Sequence, residues 1–374
     1  MKILDTEQFV SERMKIRPVT NAELDQIQQD MKDLKYELTA ETQNHSGHVL
    51  HRIKALKDIP SRKVNAGDLG GWVESYDNLD QKGDCWVADE AFVYDEAKVS
   101  ENACVYKNAQ VCDSAQVYGS AKVYGNALVF GHAQVHGRAQ VYDGAQVYGY
   151  AEVHDNAKVF RYAEVYGNAK VHETVEVYGV AKVYEYAEVY GCSQVYGNAK
   201  VHDAAEVYGY AKVYGNAQVY GNARVKGDAE VYGDAKVFGD AQVYGMSCVR
   251  GSAKVYGNAK VHASAKVGGN AEARGNADIY EEAEVFDNAK VYGKAKVYGD
   301  ARVGGNAEMY GSIQVYGRAY VFGYSKVYGR AYVYDKAMLY DNAQVYGKAE
   351  VCGKAEVCGN ARVDYEVKDK KIDE

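Results

Sequence analysis

The nine histidines of this 374-residue chain are its most chemically versatile side chains, because imidazole titrates near neutral pH and ligates metals. His136, His154 and His172 are spaced by 18 residues, so a structure with an 18-residue repeat would stack them on one face. Three ligands in a straight row on a flat sheet do not converge into a tetrahedron, so the row is a weak metal site and no metal or other cofactor is expected. His45, His48 and His51 are close in sequence but have no Cys or carboxylate at ligand spacing, which predicts solvated or strand-edge histidines. A second series interleaves cations with rings. Lys182, Lys200, Lys236, Lys254, Lys290 and Lys326 run beside Tyr184, His202, Tyr220, Phe238, Tyr256, Arg274, Tyr292 and Tyr328. Such a mixture resembles a nucleic-acid groove, but Glu164, Glu272 and Glu308 interrupt the row and the face should be flat, so a solvated charged face is the plainer reading.

What must position these residues is a repeat. From Val87 to Val363 every sixth residue is aliphatic, 47 positions without a slip of register, and 43 of them are Val. A small residue stands two places before nearly every one, as in Ala121-Lys-Val-Tyr-Gly-Asn126. A fixed period of this kind outranks other sequence signals. In Ala-Lys-Val-Tyr the residues alternate small-in, polar-out, aliphatic-in and aromatic-out, the period of a strand. Gly-Asn follows, and those two residues best tolerate the positive φ of a tight corner. Three such sides predict a triangular coil of 18 residues. The regular stretch then gives about 15 coils, stacked at roughly 4.8 Å into a rod of about 70 to 75 Å.

The outward position after each aliphatic residue holds 26 Tyr and 5 Phe among 47 places, which predicts an aromatic ladder on each face. Around this all-β solenoid, residues 1–35 read as a helical segment. Thr20 to Glu23 fits a capping box, and Leu24, Ile27, Met31 and Leu34 form one stripe. That helix would pack on the solenoid or form a short bundle between subunits. Residues 36–86 read as an α+β or β-hairpin cap, with Trp72 and Trp86 sized to cover the first coil. Residues 87–363 are the repeat, and 364–374 form a charged tail expected to fold loosely or to self-associate.

An aliphatic residue every sixth place, with a small one four later, resembles the hexapeptide-repeat left-handed parallel β-helix proteins. The resemblance covers about three quarters of the chain and supplies the left hand, which periodicity alone does not. The stretch Gly70-Gly71-Trp72-Val73 with Gly83-Asp84-Cys85-Trp86 is similar to the cap of uncharacterised bacterial proteins of that fold described as acyltransferases. That resemblance implies trimers, with acyl-CoA sites between neighbouring prisms and a His base near a loop that breaks the repeat. Here the repeat has no inserted loop, five of the histidines occupy places where the repeat has Tyr, and no catalytic residue carries over.

Other bounds are coarser. A formal charge of −8 argues against general nucleic-acid binding. No apolar run reaches membrane-spanning length, and the first residues lack the apolar core of a secretion signal. Cys85, Cys104, Cys112, Cys192, Cys248, Cys352 and Cys358 are odd in number and scattered, as expected of reduced thiols in a cytoplasmic protein. The sequence therefore points to a non-catalytic structural or binding protein. It would present Tyr-rich faces for self-association as a dimer or trimer, or for a small-molecule or carbohydrate ligand. The alternatives are an acyl-CoA-dependent acyltransferase with intersubunit sites, or a protein that sequesters a small anionic or nucleotide ligand. The residues most exposed to this reading are Tyr184, His202, Tyr220, Tyr256, Lys182, Lys200, Lys236 and Lys254.

Overall fold

A computed structural model describes residues 33–373 and divides into two compact units, Met1–Asn156 and Ala157–Glu374. Most of the helical segment expected over residues 1–35 lies outside the described residues. Both units are parallel β-solenoids with an 18-residue rise. In the second, Lys182–Val183 pairs with Lys200–Val201, and Lys212–Val213 pairs with Glu230–Val231, each in register. The first repeats the pattern where Lys122–Gly125 pairs with Cys104–Lys107.

The hexad explains each side of a coil. Val and Ala point inward and are fully buried along both units. Burying one Val stabilises by about 1.5–3 kcal/mol, and a narrow core leaves space only for Ala beside it. Where Ser replaces Ala the hydroxyl finds a partner inside the wall. Ser193 donates to the Tyr190 carbonyl at 2.9 Å, and Ser247 donates to that of Tyr244 at 2.9 Å.

The corners follow a second rule that the hexad only half reveals. Every sixth residue from Asp89 to Gly359 has φ between +56° and +90°, whether it is Gly or not. Gly is favoured because the next coil runs close by; a Cβ at Gly221 would stand 2.8 Å from the Gly239 nitrogen. The exceptions are mostly Asp and Glu, and their carboxylates accept the N–H of the equivalent corner one coil on. Asp113 Oδ2 accepts from Gly131 at 2.9 Å, Asp203 Oδ2 from Gly221 at 2.8 Å, and Glu281 Oε2 from Gly299 at 2.7 Å. The neighbouring corner residue adds amide ladders, such as Asn270 Nδ2 to Asn288 Oδ1 at 3.0 Å and Asn288 Nδ2 to Asn306 Oδ1 at 3.2 Å.

Strands β1 (Tyr36–His45) and β2 (His48–Ala55) form an antiparallel hairpin. Strand β3 (Leu69–Val73) is antiparallel to β2 on one edge and parallel to Phe92–Val93 on the other, so the hairpin extends a wall of the solenoid. Tyr36, Leu50, Ile53 and Leu79 are fully buried beneath it. Gly70 has no room for a side chain, since a Cβ would meet Ile53, the Val87 carbonyl and the Trp86 ring within 2.7 Å. At the other end, the stretch from Asp364 that looked loose adds two ordered strands. Glu366–Lys368 pairs parallel with Glu350–Cys352, and Lys371–Ile372 with Glu356–Val357. Val367 is buried there: an inward residue flanked by charges suffices for a strand even after the hexad spacing lapses. Among the described residues no helix is long and apolar enough to cross a membrane.

Candidate functional site

The rings set after each inward Val stack on their equivalents one coil away. On one face of the second unit the series Tyr166, Tyr184, His202, Tyr220, Phe238 and Tyr256 has successive centroids 4.7–5.0 Å apart, with planes within 8° of parallel. The ladder is broken once, at Arg274, and resumes through Tyr292, Tyr310, Tyr328 and Tyr346 at 5.1–5.3 Å. Arg274 occupies a ring's place; its guanidinium carbon lies 4.4 Å from the Tyr292 ring centroid.

Beside this ladder runs the predicted lysine row. Lys182 pairs with Glu164 at 2.9 Å and Lys254 with Glu272 at 3.5 Å. Lys200, Lys236 and Lys290 have no carboxylate partner among the described residues. The series Tyr184, His202, Tyr220 and Tyr256, with Lys182, Lys200, Lys236 and Lys254, is therefore brought onto one face, as the 18-residue spacing requires.

The outer positions couple across coils at a spacing the hexad does not announce. A ladder residue reaches the polar residue 16 places on: Tyr256 Oη donates to Glu272 at 3.2 Å, and Tyr298 Oη to Gln314 at 2.9 Å. Histidines in the ladder obey the same geometry. His136 Nε2 lies 3.1 Å from Glu152, His172 Nε2 3.0 Å from Glu188, and His262 Nε2 3.0 Å from Asp278. His136 and His154 stack at 4.9 Å in the first unit, whereas His172 belongs to the second and stacks on Tyr190 at 5.3 Å. His202 is held between Tyr184 and Tyr220, with Asp203 Oδ1 3.4 Å from its Nδ1.

Another face of the second unit is not flat. Its ladder runs through Tyr178, Tyr196, Tyr214 and Tyr232 at 4.8–4.9 Å, then meets Arg250, Gly268, Phe286, Gly304 and Phe322. Phe286 and Phe322 close over Gly304 with centroids 5.6 Å apart, and a Cβ there would collide with both rings. Beside this interruption lies an open depression of about 620 Å³ lined by Lys266, Glu284, Asp300, Arg302, Arg318 and Tyr320. A repeat without an inserted loop gives no sign of such a depression. The charges there are committed to each other, with Lys266–Glu284 at 3.1 Å, Arg302–Glu284 at 3.3 Å and Arg318–Asp300 at 3.4 Å.

The cap holds a constellation that segment-by-segment reading missed. His48 sits between two carboxylates, Nδ1 3.2 Å from Glu74 and Nε2 3.3 Å from Asp95, while Glu74 accepts the Asp95 N–H at 2.8 Å. The hydrogen bond to Glu74 raises the imidazole pKa against an opposing desolvation, and the charges of Asp95 and Glu74 add to the rise. Nearby, His45 stacks on Phe92 at 4.3 Å, and His51 Nδ1 lies 3.3 Å from the Thr39 carbonyl. Trp72 is buried; its indole N–H donates to Glu90 at 3.0 Å, and with Arg52 this holds the Glu90 carboxyl below its usual range. Trp86 is buried edge-on to Tyr36 at 6.5 Å. Lys35 is almost wholly buried with its ammonium 2.9 Å from the Cys85 carbonyl and 3.1 Å from its sulfur, yet burial pushes the Cys85 thiol up. All seven cysteines are free thiols.

Three short stretches, residues 121–137, 211–227 and 217–231, match a family model described as YdcK Beta solenoid repeat. No curated protein matches the chain.

Proposed function

We propose that this chain is a non-catalytic structural or binding protein whose working surface is the lysine-flanked ladder of the second unit. The observation that carries this reading is the continuous ring series from Tyr166 to Tyr256 beside Lys200 and Lys236, neither of which has a carboxylate partner among the described residues. Stacked rings contribute about 0.5–1.5 kcal/mol per favourable pair to the solenoid itself. Their outer edges and the lysine ammoniums remain for a second molecule, whether another copy or a ring-bearing ligand. Parallel rings at a fixed rise preorganise such a surface, so little side-chain entropy is lost on binding.

Native mass spectrometry of the purified chain tests the reading. A dimer or trimer, or a retained ligand, lost when Tyr184 and Tyr220 are both replaced by Ser, is the expected result. A bare monomer that retains nothing, or acyl-CoA turnover abolished by a single His substitution, would overturn it.

A further inference from the structure

Two side-chain nitrogens among the described residues are buried without a hydrogen-bond partner, Arg52 Nε and Arg274 Nε. Such orphans are uncommon and call for a physical reason. Both belong to guanidinium groups laid over aromatic rings, Arg52 5.0 Å from Trp72 and Arg274 4.4 Å from Tyr292. The two then differ. Arg52 spends its terminal Nη1 on Glu90 at 3.0 Å, whereas Arg274 has no carboxylate within ion-pair distance among the described residues.

The surroundings of Arg274 are biased the same way. Over the four coils that carry residues 236 to 292 on this face, the outward and ladder positions hold Lys236, Lys254, Arg274 and Lys290 against one acid, Glu272. Glu272 is already engaged by Lys254 at 3.5 Å and by the Tyr256 hydroxyl at 3.2 Å. The adjoining left-handed corners, Gly239, Gly257, Gly275 and Gly293, bring no charge, and the two acids at the corners of the first coil, Asp234 and Asp240, accept from the Asn216 and Asn222 amides. Arg274 therefore presents a planar fork of donors, held rigid by Tyr292 and flanked by cations, with nothing to receive it. A fork of this kind matches a carboxylate or sulfate bidentately.

We infer that this strip of the second unit, centred on Arg274, binds a short stretch of acidic polysaccharide. The inference rests on the binding reading above and names its ligand class. The row leaves ring edges and Tyr hydroxyls outward, and with the Asn270 and Asn288 amides at the margin these suit the hydroxyls of a sugar chain. Four coils at roughly 4.8 Å cover about 14 Å, the reach of three or four sugar residues. Acids return at the margin of the first coil, at Asp234 and Asp240, and beyond the strip at Glu308 on one side and at Asp203 and Glu185 on the other, so a long polyphosphate is disfavoured.

Titration calorimetry of the full chain with tetragalacturonate at low salt tests the assignment. Binding should weaken steeply with salt, and the neutral methyl ester should bind about tenfold or more weakly. Arg274→Tyr restores a ring between Tyr256 and Tyr292, so it should fold at least as well while losing about tenfold in affinity. Lys260→Ala, exposed on a different wall of the same coils, should leave affinity unchanged. Equal binding of the ester, undiminished binding by Arg274→Tyr, or tighter binding of an oligothymidylate of equal charge would each overturn the inference. So would the absence of uronate binding. If oligomers or a retained ligand persisted in the native mass spectra, only the ligand class would fall and the binding reading would stand.

Discussion

A left-handed corner residue in this protein has two acceptable chemistries, absence of a side chain or a carboxylate that reaches the next coil. Asp203 shows the second, accepting the Gly221 N–H at 2.8 Å despite its own φ of +57°. At Gly221, with φ of +72° and the Gly239 nitrogen close by, Asp should therefore be tolerated better than Val. Val in this region costs on the order of 1–3 kcal/mol, because a branched Cβ crowds the backbone. Thermal unfolding should show Gly221→Val several degrees below Gly221→Asp; equal midpoints would refute the corner rule. His48 supplies a pH-dependent counterpart. Its folded pKa is raised above the ordinary 6.5, so the imidazolium between Glu74 and Asp95 stabilises fully below that value. The contribution is lost as pH rises through the folded pKa. The midpoint difference between the protein and His48→Ala should be largest near pH 5.5 and shrink by pH 8.5. A difference constant across that range would mean that the ring acts by packing alone.

At the scale of the ladder, neighbouring rings bury each other's faces and so partly desolvate their phenols. Burial, with the nearby Glu206 and Tyr208, pushes the Tyr190 phenol up to about 12, and burial beside Tyr298 does the same for Tyr280. The neutral phenols therefore favour the fold at all pH values below their ordinary 10, and that contribution fades as pH climbs through the raised values. Absorbance at the phenolate band should show most tyrosines titrating late in the folded protein and near 10 in denaturant; superimposable curves would contradict stacked, shielded ladders. The inward half of this architecture was legible from the chain alone, since Ala121, Val123 and their equivalents repeat without interruption and strand alternation dictates which side they take. The outer half was legible only as rows. That Tyr256 meets Glu272, or His262 meets Asp278, depends on the sideways lean of one coil over another, which no single hexad encodes. The setting of His48 exceeds a solvated or strand-edge histidine because its partners come from two other places, Glu74 just after β3 and Asp95 at a corner. The recess near Gly304 was overlooked because glycine in a ladder looks like one missing ring. It actually lets Phe286 and Phe322 close across a whole coil.

At the scale of the molecule, each coil touches only its predecessor and successor, so damage should remain local. Ala217 is fully buried, and Phe there would overfill the second unit at one coil, at a cost of about 1–3 kcal/mol or more. Hydrogen exchange should reveal lost protection in the coils on either side of residue 217, with the hairpin of residues 36–55 unaffected. Uniform loss of protection would imply one cooperative block instead. The corner that recurs every six residues also bears on how such a chain tolerates length changes. Adding or deleting 18 residues preserves both the interior and the alignment of every outer row. A change of six leaves each Val and Ala inside but moves all downstream side chains round by one face. The lysine strip, its rings and Arg274 would then be split between two walls of a prism whose core had registered no error. Copying errors in whole turns are thus silent, and those in thirds of a turn rewrite the surface while sparing the fold.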